Sequence, residues 1–298
     1  MDSAPVGDVS IAVLGPGAVG GVFAVPLALA GFRVVCVAPP GTAAAIRRDG
    51  LTLVRRDEEV RARPEAVEEL QAQVDVLLVT VKAPALEEAL ERVRAEAEVV
   101  VPLLNGLEHV HRIRALLAGR VVAASVGRLE AYREGPTIVA QTTGAPVVTL
   151  AANGGVAAVF EAAGAEVRAG ATERSVLWEK VVRLAPLAAA TASTQQPVGE
   201  LRVDPEWRAR LRIAIAEACA IAAADGVDLD PAAQWTIIDA MPPDLTTSTA
   251  RDVAAGRPSE LDAITGAVVR AGRRLGVAAP TLEQLLVEAE ERCRAPSL

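Results

Sequence analysis

Gly15-Pro16-Gly17-Ala18-Val19-Gly20 is a G-x-G-x-x-G string, whose chemistry is to hold an anion with backbone instead of charged side chains. The first glycine permits a tight turn, the second lets backbone approach a pyrophosphate, and the third lets a helix pack closely on a strand. Amides at the start of the following helix point at the anion, and the helix dipole favours its charge. Such a string is weak alone, because a strand–helix turn that binds nothing reads the same way. Its setting strengthens it. The apolar run Ser10 to Leu14 comes directly before, and a helical pattern from Val19 to Ala30, closed by Gly31, directly after. No Gly-Lys-Ser/Thr follows, which excludes a phosphate loop of the NTPase kind.

The end of the second strand of such a unit usually discriminates the cofactor: an acid holds a ribose 2′-hydroxyl, an arginine a 2′-phosphate. Here Val37-Ala38-Pro39-Pro40-Gly41-Thr42 offers neither. The missing acid favours NADP over NAD. Arg47 and Arg48 follow, either to meet a phosphate or as the solvated face of a helix. Other reactive side chains are sparse. Cys36, Cys219 and Cys293 are far apart and odd in number, which suits a reducing compartment and no disulfide framework. His109 and His111 lack a cysteine or acid pair to complete a metal site, so no metal is expected.

The elements that must position these residues follow from the patterning. In the first half, short apolar runs alternate with helical stretches, as in βαβ units with a mostly parallel sheet. Strands are expected at Arg33 to Ala38, Val74 to Val81, Val99 to Leu104 and Val121 to Ser125, with two more at Thr137 to Ala140 and Pro146 to Leu150. From about Arg174 the pattern is helical. Asp204-Pro205 and Asp230-Pro231 open helices, and Ser259 to Asp262 and Thr281 to Gln284 read as capping boxes. The 298 residues therefore divide into a Rossmann-like α/β domain over 1–170, binding the dinucleotide, and an all-α domain over 171–298. A net charge of −8 opposes binding to a phosphate backbone, and 2% aromatic residues leave few platforms for stacking bases, so nucleic acid is not an expected partner. No apolar run approaches the roughly 18 residues of a membrane span, and the first ten residues lack a signal-peptide pattern. A cytoplasmic protein is expected. Apolar faces in the helical half suit a homodimer.

The chain resembles the 2-dehydropantoate 2-reductase (ketopantoate reductase) family. The resemblance rests on the glycine turn, Val81-Lys82-Ala83, Leu104-Asn105-Gly106-Leu107, Leu177-Trp178-Glu179-Lys180, and the stretch from Ser248 through Asp252, Gly256-Arg257-Pro258, Glu260-Leu261-Asp262 to Ile264-Thr265-Gly266. It implies a Rossmann-like domain, a helical domain carrying substrate and catalysis, and reduction of a small 2-oxo acid by a nicotinamide dinucleotide. Gly15, Gly17, Ala18, Val19, Gly20, Lys82 and Asn105 would then serve the cofactor. Lys180 would be the general acid, with Glu260, Ser248 and Asn105 at the substrate and the catalytic lysine. Two departures stand out. The family's asparagines four and eight residues after that lysine are Leu184 and Ala188 here, and its usual arginine after the second strand is Pro39.

The chemistry of the residues is compatible with those roles. Hydride addition to a ketone builds negative charge on oxygen, so the site needs a proton donor or cation there. A lysine between Trp178 and Val181-Val182 would be partly desolvated and more acidic, and a nearby carboxylate would hold it. On its own Lys180 also reads as a surface lysine, and Glu260 as a first-turn acid favoured by the helix dipole. Ser248 reads equally as a helix cap. Positions 180, 184 and 188 share one helical face, so Leu184 and Ala188 predict a substrate tail less polar or bulkier than that of ketopantoate. A related opine- or imine-forming dehydrogenase and a dinucleotide sensor without turnover are the competing functions.

Overall fold

A computed structural model describes residues 9–56, 58–151 and 155–294. The chain forms two compact units: one up to Leu104 together with His109–Val176, the other from Asn105–Glu108 together with the chain from Leu177 onward.

The first unit runs β1 (Ser10–Leu14), α1 (Ala18–Leu29), β2 (Arg33–Val37), α2 (Pro40–Asp49), β3 (Leu51–Arg55), β4 (Glu58–Ala62), β5 (Glu65–Val67) and β6 (Val74–Val79). After a 3-10 turn at Ala83–Ala85 come α3 (Leu86–Leu90), β7 (Ala97–Pro102), α4 (His109–Leu116), β8 (Arg120–Val121), β9 (Ala124–Gly127), β10 (Ala131–Arg133), β11 (Ile138–Gln141), β12 (Val147–Leu150), α5 (Ala157–Ala162) and β13 (Glu166–Ala169). Six strands form a parallel sheet in the order β5-β2-β1-β6-β7-β8. Its central strands read as near-continuous aliphatic runs because both faces are buried. The chain order reverses about β1, with β2 on one side and β6 on the other, and ligands collect at such switch points. In register, Leu14 lies beside Val37 and Val79. The segments leaving these three strands therefore emerge at one level.

Two smaller sheets complete the unit, ordered β10-β11-β3-β4 and β13-β12-β9. They correct the expected strand at Val121 to Ser125. That run breaks in two: β8 closes the parallel sheet, while β9 pairs antiparallel with β12 in another sheet. A strand that changes partners leaves no mark in hydrophobicity, since both halves are apolar. The charged strands β4, β5 and β13, all at sheet edges, likewise carry too weak an apolar pattern to read.

The second unit is helical: α6 (Glu173–Thr194) from Leu177 onward, α7 (Val198–Val203), α8 (Pro205–Ala224), α9 (Pro231–Asp239), α10 (Ser248–Ala254), a π-helical turn at Asp262–Gly266, α11 (Ala267–Leu275) and α12 (Pro280–Arg294). Its core is aliphatic and alanine-rich around the fully buried Trp178. Asp204 and Asp230 cap α8 and α9 as expected, each accepting two backbone N–H bonds. The other two expected caps differ. The π turn after Ser259 has no side-chain cap, because Leu261 is already helical. At α12 the amides of Thr281 and Leu282 are taken by the carboxylate of Glu217 on α8, at 3.0 and 2.9 Å. Among the described residues, no helix is long and apolar enough to cross a membrane.

Candidate active site

The glycine turn sits at the carboxyl end of β1, and its three glycines meet different surroundings. Gly15 has φ +83°, and a Cβ there would lie 2.4 Å from Val81 Cγ1. A side chain is excluded both by the left-handed backbone and by contact. At Gly20 a Cβ would come within 2.5 Å of both Gly15 O and Thr80 Oγ1. Gly17 is the exception: its nearest neighbours would be 3.8 and 3.9 Å away. Protein packing does not require glycine there, since a Cβ would meet only ordinary van der Waals contacts. Helix α1 begins at this point with no side-chain cap and no acid in its first turn. Its leading amides, including those of Ala18 and Val19, are therefore free of side-chain competition for an anion. The turn is also braced. Gly15 N donates to Val37 O at 3.0 Å, and Thr80 Oγ1 donates to Gly15 O at 2.7 Å. Thr80 follows β6 directly, a position that the glycine pattern does not mark.

Lys82 follows Val81, the residue packed against Gly15, and its exposed side chain begins the 3-10 turn. Arg47 and Arg48 sit at the exposed end of α2 and are already engaged. Arg47 donates to Ala66 O and pairs with Glu68, while Arg48 pairs with Asp49. The first turn of α2, just after Pro39, contains no acid, and Gly41 faces open space.

In the second unit, three of the singled-out residues are joined in one chain of hydrogen bonds. Lys180 Nζ donates to Asn105 Oδ1 at 2.7 Å, and Asn105 Nδ2 donates to Glu260 Oε2 at 3.3 Å. Glu260 is buried, and Lys180 and Asn105 are half-buried. Burial pulls the Lys180 ammonium down to about 8; the Glu260 carboxylate opposes that fall and Arg183 adds to it. The ammonium thus stays mainly charged at neutral pH while being a much better proton donor than an exposed lysine.

The fold holds this chain from three sides. Trp178, two residues before Lys180, donates Nε1–H to Asp225 Oδ2 at 2.9 Å and locks the first turns of α6. Thr265 in the π turn donates Oγ1–H to Ala185 O at 2.8 Å, fixing the segment after Glu260 against α6. The loop carrying Asn105 lies on the same π turn: Gly106 has φ +99°, and a Cβ there would be 2.1 Å from Ala263 O. Only glycine fits, and its absence of a side chain is what lets Asn105 reach both partners. π turns recur at functional sites, and this one is the meeting point of loop and helix.

The remaining candidates lie apart in character. Leu184 is half-buried against the core, whereas Ala188 is fully buried within it. An apolar wall on this face therefore rests on Leu184, since Ala188 presents no accessible surface. Ser248 is exposed at the start of α10, and the cap of that helix is Thr247, which accepts from Ala250 N. Thr247 also exchanges a 2.7 Å hydroxyl bond with Thr191 of α6, so the entry to α10 is tied to the helix that bears Lys180.

Two family models match almost the whole chain, ketopantoate reductase PanE/ApbA over residues 11–154 and its C-terminal counterpart over 172–291. The chain belongs to the ketopantoate reductase family. A 2-dehydropantoate 2-reductase of Mycobacterium tuberculosis is 30% identical over 285 residues, covering 93% of this chain and 95% of the relative. The crystal structure of a PanE/ApbA family ketopantoate reductase from Ralstonia eutropha JMP134 superposes with a TM-score of 0.86 at 30% identity, over 96% of this chain and 98% of the other. A D-mandelate dehydrogenase solved with NADH and anilino(oxo)acetate shares the fold at 22% identity, with a TM-score of 0.85 and 96% and 98% coverage. As a member of the ketopantoate reductase family, the protein is an oxidoreductase that acts on CH–OH groups with a nicotinamide dinucleotide.

Proposed function

We propose that the protein reduces a small 2-oxo acid to the 2-hydroxy acid, with Lys180 as the proton donor to the carbonyl oxygen. The observation that carries this reading is the hydrogen-bonded chain Lys180–Asn105–Glu260, with its desolvated ammonium near 8. The first unit, through Gly15, Gly17, Ala18, Val19, Gly20 and Lys82, holds the dinucleotide; the second carries proton transfer. When bound, the reduced nicotinamide supplies the hydride that adds to the carbonyl carbon.

Lys180 offers its proton at the atom where negative charge develops, and its positive charge lowers the energy of that oxyanion. Asn105 sets the direction of Nζ by accepting one of its protons. Glu260 attracts the ammonium and keeps it charged, against the desolvation that would otherwise favour the neutral amine. After transfer Lys180 is a neutral amine, which takes a proton from solvent to restore the donor. In the oxidation direction the same amine receives the hydroxyl proton.

NADPH is the proposed cofactor. No acid stands at the end of β2 or in the first turn of α2 to repel a 2′-phosphate, although the cation that usually holds one is replaced by Pro39. Leu184, on the face of Lys180, supports a substrate tail less polar than that of ketopantoate. Ser248 and Asn105 are the proposed polar contacts to the substrate. Operation in the cytoplasm accords with the free thiols of Cys36, Cys219 and Cys293, and the exposed Val203, Ile213 and Ile237 of the helical unit suit a homodimer.

Lys180→Ala tests the central claim. It should lower kcat by about 10²- to 10⁴-fold, while fluorescence titration gives an NADPH Kd within about twofold of the parent. Undiminished turnover in this variant refutes the assignment.

A further inference from the structure

The glycine turn has a cation beside it that no motif marks. Gly17, the residue before α1, accepts from Gly21 N at 2.8 Å, so the two lie one helical turn apart. A Cβ on Gly21 would come within 2.5 Å of Val139 Cγ2, so this face of α1 is seated directly on β11. Val139 is the antiparallel partner of Arg133 on β10, and directly opposed residues project from the same face of a sheet. The contact of Val139 with Gly21 therefore carries Arg133 one helical turn further, to Gly17. There Arg133 Cδ lies 3.9 Å from the position of a Gly17 Cβ.

Arg133 is unlike its neighbours in charge. Arg128 pairs with Glu166, and Arg55 with Glu58. Arg133 donates Nε–H to Gly135 O at 3.1 Å and makes no ion pair among the described residues. Arg133 is exposed on β10, and the desolvation it does undergo lowers its affinity for its proton, with no carboxylate opposing the effect. A guanidinium stays charged regardless, so among the described residues this cation has no ion-pair partner, beside a helix start that also lacks an acid.

We propose that Arg133 is a cofactor-binding residue, whose guanidinium covers the pyrophosphate of the dinucleotide from the side opposite the α1 amides. The inference rests on reading the glycine turn as the dinucleotide site. Two faces of the anion are then met by two kinds of donor: backbone N–H groups from α1 and a planar fork from β10, suited to bidentate phosphate contact. Because Gly17 is the glycine at which backbone approaches the pyrophosphate, Arg133 should serve NADH and NADPH alike. It is a determinant of affinity for the dinucleotide, not of the choice between the two.

Arg133→Gln and Arg133→Lys, compared with the parent, test this by calorimetric titration with ADP-ribose, NADH and NADPH. ADP-ribose carries the pyrophosphate but neither nicotinamide nor 2′-phosphate. The expected result is an increase in Kd of about tenfold for all three ligands in Arg133→Gln, by a common factor. Arg133→Lys should recover part of the loss, and the salt dependence of binding should flatten in Arg133→Gln. A merely structural role would lower the melting temperature and leave the salt dependence unchanged. Unaltered Kd values, or a loss confined to NADPH, overturn the proposal while leaving the glycine turn as the dinucleotide site. A parent protein that binds none of the three overturns both.

Discussion

Replacing Glu260 by Gln removes the charge that opposes desolvation of Lys180 while keeping an acceptor for Asn105. The bonded path from Nζ to Oε2 consists of 2.7 and 3.3 Å links joined by one side-chain amide, so the two charges lie within about 8 Å. At an effective dielectric of about 20, unit charges at about 8 Å attract by about 2 kcal/mol. That is worth about 1.5 pH units in the titration of the ammonium. The neutral glutamine dipole returns part of it, leaving a fall of about one. Lys180 then moves from about 8 to about 7 in the variant. The sign follows from the proposed role of Lys180: a proton donor must be protonated to reduce, so activity should be lost as pH rises through this value, and earlier in the variant. The protonated fraction drops from about nine-tenths to about one-half at pH 7, and from about one-half to about one-tenth at pH 8. The assay is kcat/KM for 2-oxo acid reduction between pH 5.5 and 9.5, which reports the free enzyme. The parent should show an alkaline limb near 8, and Glu260→Gln one about a unit lower. Any loss of alignment would add a factor independent of pH. An alkaline limb that stays in place, or moves upward, would refute the coupling of Glu260 to Lys180.

The two glycines of the turn should separate binding from folding. Gly17→Val should keep the melting temperature within about 2 °C and abolish measurable dinucleotide binding, whereas Gly20→Ala should destabilise the first unit by about 1–3 kcal/mol in urea unfolding, because its Cβ meets Gly15 O and Thr80 Oγ1. A folded, fully binding Gly17→Val variant contradicts the reading of Gly17 as the point where backbone approaches the pyrophosphate. Gly106→Ala combines a left-handed backbone with a clash on Ala263 O; it should cost about 1–3 kcal/mol and lower kcat by displacing Asn105, seen as a lost alkaline limb near 8. Leu184→Asn restores an amide on the face of Lys180 and should raise the ratio of kcat/KM for ketopantoate over 2-oxoisovalerate about tenfold. A ratio that does not move assigns tail selection to other residues.

Local order was legible in the chain because local forces create it. The aliphatic run of β1, the glycine turn and the start of α1 lie within about twenty consecutive residues, and their patterning carried the dinucleotide fold. The caps at Asp204 and Asp230 likewise need only residues two and three positions on. Where a distant group satisfied the same need, local reading failed. The amides at the start of α12 are bound by Glu217, more than sixty residues away, and the apolar run at Val121 to Ser125 gave no sign that β8 and β9 join different sheets.

For the site, the sequence determined the inventory: a glycine turn, and a lysine, an asparagine and a glutamate made notable by family resemblance. Only the tertiary structure decided that Lys180 and Asn105, 75 residues apart, and Asn105 and Glu260, 155 apart, form one bonded chain. It also decided that Ala188 belongs to the core, that Thr247 and not Ser248 caps α10, and that Arg133 stands beside Gly17. The physical reason is common to all of these. Hydrophobic periodicity reports which face of an element is buried, whereas a proton donor's acidity depends on which charges and dipoles the packing of distant elements brings within a few ångströms of it.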